Sequence, residues 1–203
     1  MASLGPSSTQ KNIMLIGDKS VGKTNLIRVF DGQTFKDDTV STLGVDFINA
    51  EITPSGHGES VKFCIWDTAG QDNVRALVNN FLKAAHAVMI VYDITEQPTF
   101  DNVPAWIQAI DDKCANMPPI ILVGNKSDMA EEREVQMSAA QGLADNKNIF
   151  YIETSAKSGS NVQAAFQALV DRLWKKLNPQ IENELVNAVP KSSKPVNPEP
   201  ESR

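Results

Sequence analysis

The sequence predicts a three-layer α/β domain: a six-stranded, mostly parallel sheet with one antiparallel edge strand, covered by helices on both faces. Three observations carry this expectation. Short continuous apolar runs recur along the chain, amphipathic stretches separate them, and one alternating run is joined to its neighbour by a turn-rich link. The continuous runs are residues 13–16, 61–66, 87–92, 120–123 and 149–152. Short and without alternation, they suit strands that crossover helices bury on both faces. Residues 46–53 alternate instead, and the link at 54–59, Pro-Ser-Gly-His-Gly-Glu, predicts a hairpin into the next strand.

Helical patterns fill the gaps. They are expected over 24–31, over 100–114 with Val103, Ile107 and Ile110 on one face, and over the Ala-rich 138–146. A longer one over 161–177 repeats Val162, Phe166, Leu169, Val170 and Leu173 at helical spacing. The resulting β-α-β-β-α-β-α-β-α-β-α order places functional sites at the carboxyl ends of the strands. The domain is expected to span 11–177, after a flexible polar lead at 1–10. Five of the eleven prolines fall within 179–200, so 178–203 reads as a solvated tail.

Composition narrows the function classes. Apolar residues make up 41% of the 203, enough for a core. A net charge of -6 offers no basic face for nucleic acid or for an anionic membrane. Two isolated cysteines, Cys64 in an apolar run and Cys114 near a helix end, fit a reducing cytosol. No run approaches the ~18 apolar residues of a membrane span. With Ala2 after Met1, and Glu201-Ser202-Arg203 last, no lipid anchor is evident. The expectation is a cytoplasmic monomer that meets membranes only through partners or a missing C-terminal segment. His57 reads as solvated in the hairpin turn and His86 as a structural residue ahead of a strand.

The strongest motif is Gly17-Asp18-Lys19-Ser20-Val21-Gly22-Lys23-Thr24, a G-x-x-x-x-G-K-[ST] loop after a predicted strand and opening a helix. The chemistry requires these types. Backbone N–H groups of residues 19 to 24, continuing into Asn25, converge on phosphate oxygens with the help of the helix dipole. Gly17 and Gly22 permit the backbone conformation and close approach. Lys23 reaches the β- and γ-phosphates, and the Thr24 hydroxyl ligates Mg2+.

Such a loop specifies a nucleoside triphosphate, not the base. Asn125-Lys126-Ser127-Asp128 emerges at the end of a buried strand. A carboxylate at Asp128 accepts N1–H and N2–H of guanine, whereas adenine offers neither and would leave a desolvated Asp128 unpaired. The next strand runs into Glu153-Thr154-Ser155-Ala156-Lys157, placed to give backbone N–H groups to the guanine carbonyl. Between them lies Trp66-Asp67-Thr68-Ala69-Gly70-Gln71. There Asp67 is an Mg2+ partner, Gly70 brings its N–H to the γ-phosphate, and Gln71 orients the attacking water.

Over roughly 11–177 the sequence resembles the Ras superfamily of small GTPases. Ser41-Thr42-Leu43-Gly44-Val45-Asp46-Phe47 and Trp66-Asp67-Thr68-Ala69-Gly70-Gln71 make it most similar to the Rab branch. The resemblance implies a P-loop NTPase G domain using GTP/GDP and Mg2+, and a place in vesicle trafficking. It implies that Thr42 ligates Mg2+ and senses the γ-phosphate, acting in catalysis with Gln71 and Lys23. It also implies that Phe35 stacks near the guanine and Lys126 packs over it. An exchange factor, an activating protein and an effector are implied at segments 39–47 and 70–83, where Phe47, Trp66 and Phe81 form either an aromatic effector surface or core packing.

The chain departs from that family in four places. Switch II reads Asp72-Asn73-Val74-Arg75 and Asn80-Phe81-Leu82-Lys83, which points to unusual partners. Thr39 replaces a tyrosine over the phosphates, and the prenylated C-terminal cysteines are missing. Lys191 and Lys194 are too few for a basic membrane patch. Lys19 stands where a small residue is usual, beside Gln71, so slow and poorly stimulated hydrolysis is expected. The alternatives are that Lys19 points to solvent, or that the chain is a nucleotide-loaded scaffold that cycles little.

Overall fold

The structure, a computed structural model, describes residues 10–37, 45–68 and 81–180. Six strands, β1 (Lys11–Ile16), β2 (Val45–Ile52), β3 (Val61–Thr68), β4 (Ala87–Asp93), β5 (Ile120–Asn125) and β6 (Phe150–Glu153), form one sheet in the order β2-β3-β1-β4-β5-β6. Only β2 at the edge runs antiparallel, pairing Phe47 with Trp66 and Ile52 with Val61. All other pairs are parallel, so the carboxyl ends of β1, β3, β4, β5 and β6 open on one side of the domain. The expected fold class and hairpin are those observed.

Five α-helices lie among the described residues: α1 (Lys23–Phe30), α2 (Gln97–Asp101), α3 (Val103–Lys113), α4 (Met137–Lys147) and α5 (Val162–Leu177). Because strand side chains alternate, each parallel strand feeds two cores. Ile13 and Leu15 face α1 and α5, whereas Met14 and Ile16 face α3 and α4. In β4, Ala87, Met89 and Val91 go one way while Val88, Ile90 and Tyr92 go the other. The predicted faces hold: Val162, Phe166, Leu169, Val170 and Leu173 are all buried, as are Val103, Ile107 and Ile110.

Three expectations need correction. The single helix over 100–114 is two, α2 and α3, meeting at Asn102. Pro104 has no N–H to continue the ladder, and Pro98 and Pro104 each sit in the first turn of a helix. His57 is not fully solvated: its ring lies 5.0 Å from that of Trp174 in a tilted contact. Ser55 N–H donates to Asp171 and Gln167 donates to the Thr53 carbonyl, so the hairpin turn is fastened to α5. The third concerns the aromatics Phe47, Trp66 and Phe81, which divide between the two alternatives: Trp66 and Phe81 are half-buried and pack against the core beside α3 and α4, whereas Phe47 does not. Phe47 is 51% exposed, and the rings run Phe47–Trp66–Phe81 at 5.2 and 5.3 Å.

Other readings stand. Cys64 is buried, and burial pushes its thiol up. His86 Nδ1 accepts from Asn12 N–H at 3.1 Å, a structural bond, and burial lowers its pKa. Among the described residues no helix is long and apolar enough to cross a membrane.

Phe166 is fully buried and stacks on Phe30 with centroids 4.0 Å apart. Truncating it leaves a cavity between α1 and α5. Phe166→Ala is expected to lower unfolding free energy by ~3–5 kcal/mol in denaturant titrations, with little change in m-value. A loss below ~1 kcal/mol would contradict this packing.

Candidate functional site

The loop leaving β1 wraps over the sheet edge, and glycine geometry shows why. Gly17 has φ +140, and a Cβ there would meet the Val91 carbonyl oxygen at 2.1 Å. Gly22 has φ +95, and its Cβ would meet Asn125 Nδ2 at 2.3 Å. Between them Ser20, a non-glycine, is held at φ 63. A residue in that region persists only when its surroundings hold it there. Val21 is buried and provides the plug, while Lys19 and Ser20 are exposed on the loop's outer turn.

Lys23 opens α1 and is 6% exposed. Its Nζ donates to the carbonyls of Gly17 at 2.9 Å and Asp18 at 2.7 Å, closing the loop into a ring. Burial lowers its pKa to about 8, against the pull of Asp67 and Asp18. Beside it the Thr24 hydroxyl donates to Asp67 Oδ2 at 2.6 Å, from the end of β3. Thr68 then donates to the Leu15 carbonyl at 2.6 Å, locking β3 to β1. Asn25 turns its side chain away, bonding both the N–H and the carbonyl of Lys36 at 3.2 and 2.9 Å. That fixes the segment on which half-buried Phe35 packs against the α1–α5 core.

The second half of the site hangs from β5 and β6. Asn125 is 1% exposed. Its Nδ2 donates to the Val21 carbonyl at 2.9 Å, while Oδ1 accepts from Thr154 Oγ1 at 3.1 Å and Ala156 N–H at 3.2 Å. The Ala156 N–H, expected to serve the guanine carbonyl, is thus already directed at Asn125. Ser155 Oγ donates to Asp128 Oδ1 at 2.5 Å and accepts from Ser158 N–H at 3.0 Å. Asp128 itself is exposed, not desolvated; the buried floor is made by Asn125, Ser155 and Ala156. Lys157 is exposed.

Lys126 adopts φ 67, and its ammonium pairs with Asp93. Asp93 was not singled out by the sequence. It is wholly buried at the end of β4, and its Oδ1 accepts from Thr95 N–H at 2.9 Å and Thr95 Oγ1 at 2.8 Å. The available signal was a carboxylate ending an entirely apolar strand, which burial forces to find a partner. Beneath the floor, Arg133 grips Glu153 with two bonds of 2.7 and 2.8 Å, and Tyr151 donates to the same carboxylate at 2.6 Å. Burial opposes the Glu153 charge, but those donors hold its carboxyl below the usual range. Burial raises the Tyr92 pKa to about 12. Its hydroxyl lies 3.0 Å from that of Tyr151.

The site thus brings together Asp18, Lys19, Ser20, Val21, Gly22, Lys23, Thr24, Asp67, Asn125, Lys126, Asp128, Ser155 and Ala156. Thr39, Thr42, Gly70, Gln71, Asp72, Asn73, Val74, Arg75, Asn80, Lys191 and Lys194 lie outside the described residues. The donor set fits a phosphate chain and a hard cation. Among the described residues, no carbonyl accepts from the backbone N–H of Ser20, Val21, Gly22 or Lys23. A buried ammonium stands next to them, and a hydroxyl–carboxylate pair of oxygen ligands beside it suits Mg2+.

A phosphate-binding loop, a metal pair and a base floor at one sheet edge define a P-loop nucleotide-binding protein. The sequence model of the Ras family matches residues 12–175, and the chain belongs to that family. It is similar to Ras-related protein Rab-1A of Dictyostelium discoideum, 37% identical over 189 residues, covering 92% of this chain and 93% of that protein. It is 44% identical over 154 residues to GTP-binding protein ypt1 of Schizosaccharomyces pombe (strain 972 / ATCC 24843), covering 76% and 75% of the two. It is a small GTPase of the Rab branch, using GTP/GDP and Mg2+.

The depressed Lys23 pKa has a measurable consequence. Above about pH 8 the free protein favours the neutral amine, and phosphates restore the ammonium. GDP binding to nucleotide-free protein is therefore expected to take up a fraction of a proton at about pH 8.5, falling towards about pH 7. Calorimetry in buffers of different ionisation enthalpy reads this uptake. No uptake at the higher pH would contradict the assignment.

Proposed function

We propose that this chain is a guanine-nucleotide switch in vesicle trafficking whose base choice and phosphate grip are joined through Asn125. The carrying observation is that one buried amide bonds the phosphate loop at Val21 and the base floor at Thr154 and Ala156. In this reading Asp128 accepts N1–H and N2–H of guanine, with Ser155 fixing the carboxylate. Lys126 extends its stem across the base while Asp93 holds its ammonium. Backbone N–H groups of residues 18 to 25 and Lys23 bind the phosphates. Thr24, Thr42 and Asp67 hold Mg2+, which supplies charge neutralisation at the phosphates. Gly70 and Gln71 attend the γ-phosphate and the attacking water, and hydrolysis is slow because the Lys19 side chain, exposed on the outer turn of the loop, bends towards that space once nucleotide is bound.

An exchange factor, an activating protein and an effector engage segments 39–47 and 70–83. The aromatic part of that surface is the string Phe47–Trp66–Phe81, exposed at Phe47 and rooted in the core through the half-buried Trp66 and Phe81. The protein works as a monomer in the cytoplasm and meets membranes through its partners or through a further C-terminal segment.

Two substitutions test this reading. Asp128→Asn exchanges an acceptor for a donor, which suits the C2 carbonyl of xanthine better than the C2 amine of guanine. GTP affinity is expected to fall by ~10² or more with a gain for xanthosine nucleotides, in competition against labelled GDP. Unchanged preference would remove Asp128 from base recognition. In single-turnover assays, Lys19→Gly is expected to hydrolyse GTP at least about threefold faster, most visibly with an activating protein. Equal rates in both settings would sink the slow-hydrolysis reading.

A further inference from the structure

Asp18 belongs to the phosphate loop, yet its side chain leaves it. Oδ2 accepts from Asn102 Nδ2 at 2.6 Å and Oδ1 accepts from Trp106 Nε1 at 3.0 Å. The two donors are stacked one helical turn apart at the junction of α2 and α3, where Trp106 N–H bonds the Asn102 carbonyl at 3.2 Å. Trp106 is 4% exposed, so its indole is set by the core and not by the loop. The carbonyl of the same Asp18 accepts from Lys23 Nζ at 2.7 Å. Residue 18 is therefore bound at two points. Its main chain orients the phosphate lysine, and its carboxylate is tied to a buried helix by charge-assisted bonds.

The loop needs such ties. Ser20 sits in a left-handed conformation that its surroundings must hold, and the loop has two shoulders. Asn125 holds the far one at Val21. The near one, at Asp18, is held from α2 and α3.

We propose that Asn102 and Trp106 are positioning residues for the nucleotide: by anchoring the Asp18 carboxylate they keep the phosphate loop and Lys23 in register and slow nucleotide release. The inference rests on the nucleotide site described above. It adds that the α2–α3 junction, which carries no part of that site's binding chemistry, sets its off-rate.

The test uses the whole protein loaded with fluorescent GDP and chased with excess unlabelled GDP in Mg2+. Asn102→Asp faces Asp18 with a second carboxylate. Release is expected to accelerate about tenfold or more, with association within about twofold of the original. Combining Asn102→Asp with Asp18→Asn restores a donor–acceptor pair in reversed polarity and should return release to within about threefold. Trp106→Phe keeps the ring but loses the N–H, and should accelerate release several-fold. If Asn102→Asp does not fold, the double variant and Trp106→Phe decide. Normal loading with unaltered release in Asn102→Asp and Trp106→Phe, or a double variant no slower than Asn102→Asp, overturns the positioning role alone. Failure of the original protein to hold guanine nucleotide overturns the site itself and this role with it.

Discussion

The Asn125 side chain is the constraint on which the site depends. Buried at the end of β5, it has one donor and one acceptor group to satisfy, and the fold places partners from different loops at both. Its amide nitrogen goes to the phosphate loop after β1, and its oxygen to the loop after β6. The close approach is possible because Gly22 has no Cβ, which would otherwise lie 2.3 Å from that nitrogen. The loops after β5 and β6 are thus tied to the phosphate loop, 104 residues before Asn125 at Val21. The parallel sheet supplies the register, with Asp93 opposite Asn125 and Gly124 opposite Glu153.

Around this joint the charges are arranged in pairs. Lys23 is buried among carbonyls, with Asp67 and Asp18 near enough to favour its charge against the cost of burial. Asp93 is buried and takes Lys126. Glu153 is held by Arg133 and Tyr151 directly below the base floor. Removing one partner from any such pair leaves an uncompensated charge, so these residues are expected to be intolerant of single changes. A loop preset in this way needs little rearrangement to accept phosphates, which is how a left-handed Ser20 can be tolerated.

Much of this was legible in the sequence. The strands were readable because β1, β4 and β5 are apolar on both faces, and β2 was separable because it alternates beside a turn-rich link. The loop Gly17–Thr24 and the Asn125–Asp128 motif announced their chemistry through residue type and spacing. Long-range pairing was not legible. Nothing near Asp93 in sequence names Lys126, and nothing near Asp18 names Asn102 or Trp106. The helix break at Asn102 is carried by Pro98 and Pro104, which the apolar spacing of Val103, Ile107 and Ile110 does not reveal. The exposure of Asp128 depends on how the 3-10 turn at Ser127–Glu132 presents it, which spacing does not fix.

What results is a nucleotide cradle beside an edge hairpin that carries the exposed Phe47. One buried amide bonds both the phosphate loop at Val21 and the loop after β6 at Thr154 and Ala156. Selection of guanine is what this cradle is arranged to do. The most direct measurement is chromatography of the nucleotide released when the purified protein is denatured. Close to one equivalent of guanine nucleotide per chain is expected; adenine nucleotide in that position would contradict guanine selection.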